Sequence, residues 1–187
     1  MTAATGNGQT WRIRFGGVGG QGIVLAGRLL GKAAALHDGK EAVSTQTYGP
    51  EARGGASRTD VIVSDEPVDY PFVLEADVLA VLFQEAYAKY KDCLAPDGLL
   101  IVDTGLVNPD ADDANVCGLP ATEIAEKLGN RVVTNVVVLG YLVEKTGVVS
   151  REAIEAAIRS TVKAKVVDLD MRALEAGARA ARGEAPL

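Results

Sequence analysis

Apolar and basic residues alternate over Trp11-Arg12-Ile13-Arg14-Phe15, the period of a strand with one buried face. From Gln21 to His37 the period changes: Ile23, Leu25, Ala26, Leu29, Leu30, Ala33 and Ala34 recur at helical spacing, and Asp38-Gly39 supplies a stop. The opening therefore reads as strand, glycine-rich loop, helix. Residues 41–47 predict a second strand, Arg58–Ser64 a third centred on Val61-Ile62-Val63, Asp77–Phe83 a buried fourth, and Gly98–Asp103 a further buried parallel strand ending in an acid. Helices are predicted over 84–94, 120–128, 134–146 and 150–163, with an Ala/Arg-rich one at the C-terminal end. Strands that alternate with helices imply an α/β fold, a three-layer α/β/α sandwich around a mostly parallel or mixed sheet. Residues 1–10 read as a flexible lead-in and 11–187 as one domain.

Two stretches break the pattern. Thr45 to Ser57 (TQTYGPEARGGAS) has turn formers, one acid, one base and several hydroxyl or amide side chains without apolar periodicity, so it is expected to be a loop suited to recognition. Gly105 to Leu119 (GLVNPDADDANVCGL) is acidic and is expected to be a surface excursion.

Composition narrows the function. A net charge of −6 argues against nucleic acid as the main partner, since a phosphate backbone asks for a basic face. No 18-residue apolar run is present to span a bilayer. The first residues, MTAATGNGQT, lack the basic start and apolar core of a signal peptide, so the expected compartment is the cytoplasm. Two cysteines, Cys93 and Cys117, and the single histidine His37 are too few for an iron–sulfur cluster or a structural zinc, and they argue against a Ser-His-Asp or Cys-His mechanism. No catalytic residue and no metal ligand is assigned.

The candidate chemistry lies in the two glycine-bearing loops. FGGVGGQGIV, residues 15–24, holds five glycines in seven positions, and Gly17, Gly19 and Gly22 match the dinucleotide fingerprint G-x-G-x-x-G. A dinucleotide fold also wants an acid at the end of the second strand to hold the ribose hydroxyls, and this chain offers Ser44-Thr45-Gln46 there. Two readings remain for the glycines: a tight turn with close helix-to-sheet packing, or exposed N–H groups facing an anion at a helix N-terminus. In the second loop Arg53 supplies a planar fork of donors suited to carboxylate or phosphate, and Gly54-Gly55 admits a ligand or partner without Cβ obstruction. If the first two strands are parallel, both loops open on one edge of the sheet, the edge where α/β folds bind ligands.

The segments GGVGGQGIVLAGRLLGKAA, STQTYGPEARGGASRTDVIVSDEPVDYP and VLAVLFQEAYAKY together resemble the gamma subunit of 2-oxoacid:ferredoxin oxidoreductases, with the 2-oxoglutarate (KorC-like) branch nearest. The resemblance runs from about Trp11 to Thr161, and TYGPEARGG followed by DYP carries most of its specificity. It implies a complex that decarboxylates a 2-oxoacid, reduces ferredoxin and forms an acyl-CoA. Thiamine diphosphate, magnesium and iron–sulfur clusters are then expected on alpha, beta and ferredoxin-like delta partners. This chain is expected to close over their active site and to help hold coenzyme A, through Gly17, Gly19, Gly20, Gln21, Gly22, Gln46, Tyr48, Arg53, Gly54 and Gly55. The competing readings are a stand-alone NAD- or FAD-binding protein and a purely structural assembly subunit.

Overall fold

The structure, a computed structural model, describes residues 8–47 and 55–187. Six strands form one sheet: β1 (Thr10–Gly17), β2 (Glu41–Thr47), β3 (Ser57–Ser64), β4 (Ala76–Val81), β5 (Leu94–Asp103) and β6 (Val116–Leu119), in spatial order β2-β3-β1-β4-β5-β6. Strand β3 is antiparallel to both β2 and β1, while β1, β4, β5 and β6 pair in parallel. The sheet is therefore mixed, and every strand except β3 points the same way.

The opening strand–turn–helix matches the sequence expectation, with α1 spanning Ile23–His37. Beyond α1 the chain departs from a dinucleotide fold, in which the second strand lies beside the first. Here β2 and β3 are a hairpin, and the antiparallel β3 occupies the slot next to β1, with Gly17 opposite Ser57 and Thr47 opposite Arg58. Ser57 thus joins Gly17 and Thr47 at a single edge. The predicted loop beginning at Thr45 starts later, because Thr45, Gln46 and Thr47 pair with Asp60, Thr59 and Arg58.

Helices cover both faces, unequally. On one face α1, α3 (Ala121–Lys127), α4 (Thr134–Thr146), α5 (Arg151–Arg159) and α6 (Ala164–Ala181) bury Ile13, Phe15, Val61, Val63, Val78, Ala80 and Ile101 of the sheet. On the other, the alternate residues Leu79, Val81, Leu100 and Val102 cluster with Ala56, the short α2 (Gln84–Tyr90) and the segment around Val107. Helix α2 ends before residue 94, in a 3-10 turn over Lys91–Cys93, since Leu94 already starts β5. The acidic excursion is also shorter than expected: its last residues form β6, pairing with Leu100–Asp103. The rest of it is strapped to α2. Tyr87 Oη donates to Asp113 at 2.5 Å, Asn108 N donates to Gln84 Oε1 at 2.7 Å, and Lys91 pairs with Asp110.

Helix α4 is buried at every position from Thr134 to Val143 and lies against α6 at backbone distance. Gly140 and Gly177 make that approach: a Cβ on either would stand 2.1 Å from Leu174 O or 1.9 Å from Val137 O.

Candidate functional site

The C-terminal ends of β1, β2, β4 and β5 and the start of β3 meet at one edge of the sheet, so Thr47 and Ser57, which flank the second loop, lie at the edge where the glycine turn begins. The glycine turn is built there from the chain upward. Gln21 spans it: Oε1 accepts from Val18 N at 2.8 Å, and Nε2 donates to Leu82 O, just past β4, at 2.6 Å. Gln21 N also donates to Val18 O at 3.2 Å. Gly20 and Gly22 sit at φ +94° and +74°, where side chains are strained. A Cβ on Gly19 or Gly20 would meet nothing within 4 Å, so the backbone there faces open space. At Gly17 a Cβ would come within 2.7 Å of Gln21 Oε1, so that glycine serves close packing inside the turn. Close packing thus accounts for Gly17, while Gly19 and Gly20 leave open backbone.

Gly22 is the N-cap of α1 and offers no side-chain cap to the free N–H groups of the first turn. Such an end is a natural place for an anion.

Sequence reasoning missed the residues that complete this corner. Asn135, 2% exposed on α4, donates Nδ2 to Gly22 O at 3.0 Å. Asp103, at the end of β5, is buried and caps α3, accepting from Thr122 N at 3.0 Å and Thr122 Oγ1 at 2.5 Å. A cavity of about 210 Å³ lies beside the turn, lined by Gly20, Gln21, Thr122, Asn130, Arg131 and Thr134 among others. The signal available for Asn135 was a lone amide opening the apolar run TNVVVLGYLV; Arg131, far along the chain from the glycine turn, had none.

Of the second loop, Gln46 lies near the end of β2 opposite Thr59, and Gly55 precedes β3. Tyr48, Arg53 and Gly54 lie outside the described residues. Beneath the start of β3 is a buried charged cluster. Arg14 grips Asp60 with two bonds, Nε to Oδ1 at 2.7 Å and Nη2 to Oδ2 at 2.8 Å, and also donates to Val73 O at 2.6 Å. Burial alone would lower the Arg14 pKa; the bonds to Asp60 outweigh it and raise it. Arg58 lies 3.6 Å from Asp60 and, like Arg14, within 6 Å of the Tyr90 ring, at 5.9 and 5.6 Å. Burial pushes the neighbouring Cys93 thiol up, against the pull of Arg14. Among the described residues no three His, Cys, Asp or Glu side chains converge to hold a metal ion, and no helix is long and apolar enough to cross a membrane.

The family model for pyruvate ferredoxin/flavodoxin oxidoreductase matches residues 12–180. The chain belongs to that family. It is 47% identical over 169 residues to the 2-oxoglutarate synthase subunit KorC of Methanocaldococcus jannaschii, covering 88% of this chain and 90% of that protein. The crystal structure of the keto/oxoacid ferredoxin oxidoreductase gamma subunit from Geobacter sulfurreducens superposes with a TM-score of 0.86 at 41% identity, over 94% of this chain and 98% of that one. The same fold, at 24% identity and a TM-score of 0.85, forms part of the 2-oxoglutarate:ferredoxin oxidoreductase of Magnetococcus marinus, solved with 2-oxoglutarate, coenzyme A and succinyl-CoA. There 96% of this chain matches 32% of a longer chain. The resemblance carried by TYGPEARGG and DYP is therefore correct, and the chain is homologous to the KorC gamma subunits.

Proposed function

We propose that this chain is the non-catalytic gamma subunit of a cytoplasmic 2-oxoglutarate:ferredoxin oxidoreductase and that its glycine turn holds an anionic part of coenzyme A. The complex decarboxylates the 2-oxoacid, transfers the acyl group to coenzyme A and passes the released electrons to ferredoxin. Alpha and beta subunits, with a ferredoxin-like chain, supply thiamine diphosphate, magnesium and iron–sulfur clusters. The choice of 2-oxoglutarate rests on similarity to KorC. The observation that supports a coenzyme A contact is the pairing of open backbone at Gly19 and Gly20 with the uncapped first turn of α1, on the edge where β2 ends at Thr47 and β3 begins at Ser57. A helix start without a side-chain cap, beside open backbone, suits a phosphate. In this reading Arg53 adds a charge-assisted bond.

Arg53→Ala in the co-expressed complex then raises the KM for coenzyme A roughly ten- to a hundredfold, the equivalent of about 1.5–3 kcal/mol. An unchanged KM in an intact Arg53→Ala complex overturns the coenzyme A reading and leaves the chain a structural lid.

A further inference from the structure

Asn135 and Gly22 fit one another as a complementary pair. The Asn135 carboxamide occupies the space that a side chain on residue 22 would need: an ideal Cβ there would lie 2.7 Å from Nδ2 and 2.9 Å from Cγ. Its Nδ2 reaches Gly22 O, which also accepts the first helical bond of α1 from Ala26 N at 3.0 Å. The positive φ at Gly22 sets the exit direction of the turn, and Asn135 fixes the carbonyl on which that direction depends. From the opposite side, Gln21 ties the turn to Leu82 beyond β4. Gln21 also accepts from Val18 N, so Gly19 and Gly20 form the unsupported stretch between the held residues Val18 and Gln21. Residues 136–139 beside Asn135 are all apolar and buried, so packing alone asks for another aliphatic side chain here.

We propose that Asn135 is a positioning residue: through Gly22 it holds the glycine turn in the form that presents the open backbone of Gly19 and Gly20 to an anionic ligand. The proposal rests on the coenzyme A reading for the identity of that ligand. It is tested with Asn135→Leu, which keeps the bulk and loses the donor, and Asn135→Asp, which keeps the shape and loses the donor, both in the co-expressed complex. Hydrogen exchange is measured at Val18 and Gln21, whose amides are bonded inside the turn, with KM for coenzyme A and for 2-oxoglutarate measured separately. Loss of a hydrogen bond of ordinary net strength corresponds to about a fivefold change. The expected result is exchange at Val18 and Gln21 about fivefold faster, a KM for coenzyme A raised by a similar factor, and a KM for 2-oxoglutarate within about twofold of wild type. Exchange unchanged in both variants overturns the positioning role, whatever the kinetics. Faster exchange with an unchanged KM for coenzyme A upholds the positioning role and overturns the coenzyme A reading instead. The double variant Gly22→Ala/Asn135→Ala gives an independent check. Removing the amide relieves the clash but not the positive-φ strain, so the double variant should be more stable than Gly22→Ala alone. Simple additivity of the two losses counts against the pairing.

Discussion

Replacing Gly177 by Ala should damage this protein far more than the loss of one hydrogen suggests. The new Cβ would stand 1.9 Å from Val137 O and 2.8 Å from Tyr141 N, where ordinary contact begins near 3.4 Å. Helices α4 and α6 must then part by about 1.5 Å, the difference between 3.4 and 1.9 Å. A gap of that size forfeits a large share of the dispersion energy along an α4 surface buried continuously from Thr134 to Val143. Against this, Ala improves helix propensity over Gly by about 1 kcal/mol. Overpacking typically costs about 1–3 kcal/mol, and more where backbone rather than side chain must yield. The expected net loss is about 2–4 kcal/mol, or roughly 4–16 °C in Tm for a chain of this size. Gly31→Ala is the control. It is also a helical glycine, but its Cβ would meet only Val61 Cγ1 at 4.0 Å, so propensity should win and Tm should rise slightly. Differential scanning calorimetry of the two variants decides. A Gly177→Ala protein as stable as wild type would refute the claim that backbone contact holds α4 against α6.

The charged groups give two more expected outcomes. Arg14→Met should cost about 3–5 kcal/mol in a denaturant titration, because among the described residues it leaves the buried Asp60 with Arg58 alone, at 3.6 Å, and releases Val73 O; a loss below about 1 kcal/mol would mean Arg58 compensates fully. The strap over α2 should loosen in acid. The bond from Lys91, then that to Tyr87, holds the Asp110 pKa below its usual value, so this stabilisation is complete above the unfolded carboxylate pKa, near 4, and is lost as pH falls through the lower folded value. Burial, then Asp113, pushes the Tyr87 pKa up to about 12, so Tyr87 stays a neutral donor throughout. Near-ultraviolet circular dichroism of the tyrosines from pH 7 to 2 reports it, and Lys91→Met should move the change to higher pH.

Much of this was legible in the chain because local signals and tertiary structure agree. Trp11 to His37 announces strand, turn and helix through a change of period, and the turn is marked by glycines at the positive φ of residues 20 and 22 and at the close packing of residue 17. The hairpin was not legible: β2 and β3 are separated by a long polar connection without a two-residue turn signature, and Val61-Ile62-Val63, buried on both faces, reads like a parallel strand. Strand β6 was hidden because four residues after an acidic segment carry no usable period. The corner of the site was hidden for another reason. Asn135 lies 113 residues from Gly22, and no local pattern reports a contact made across the fold.

The antiparallel insertion of β3 separates two kinds of change open to this scaffold. The glycine turn sits on the covalent path from β1 into α1, and any alteration in its length would rotate the helix against the sheet. The 48–56 connection, by contrast, only joins two paired strands whose register is already set by Thr47 opposite Arg58. Doubling such a connection costs only about 0.6 kcal/mol in closure entropy. Changes of sequence or length between Thr47 and Ser57 can therefore accumulate without moving the paired strands, while the glycine turn keeps the geometry that β1 and α1 impose on it.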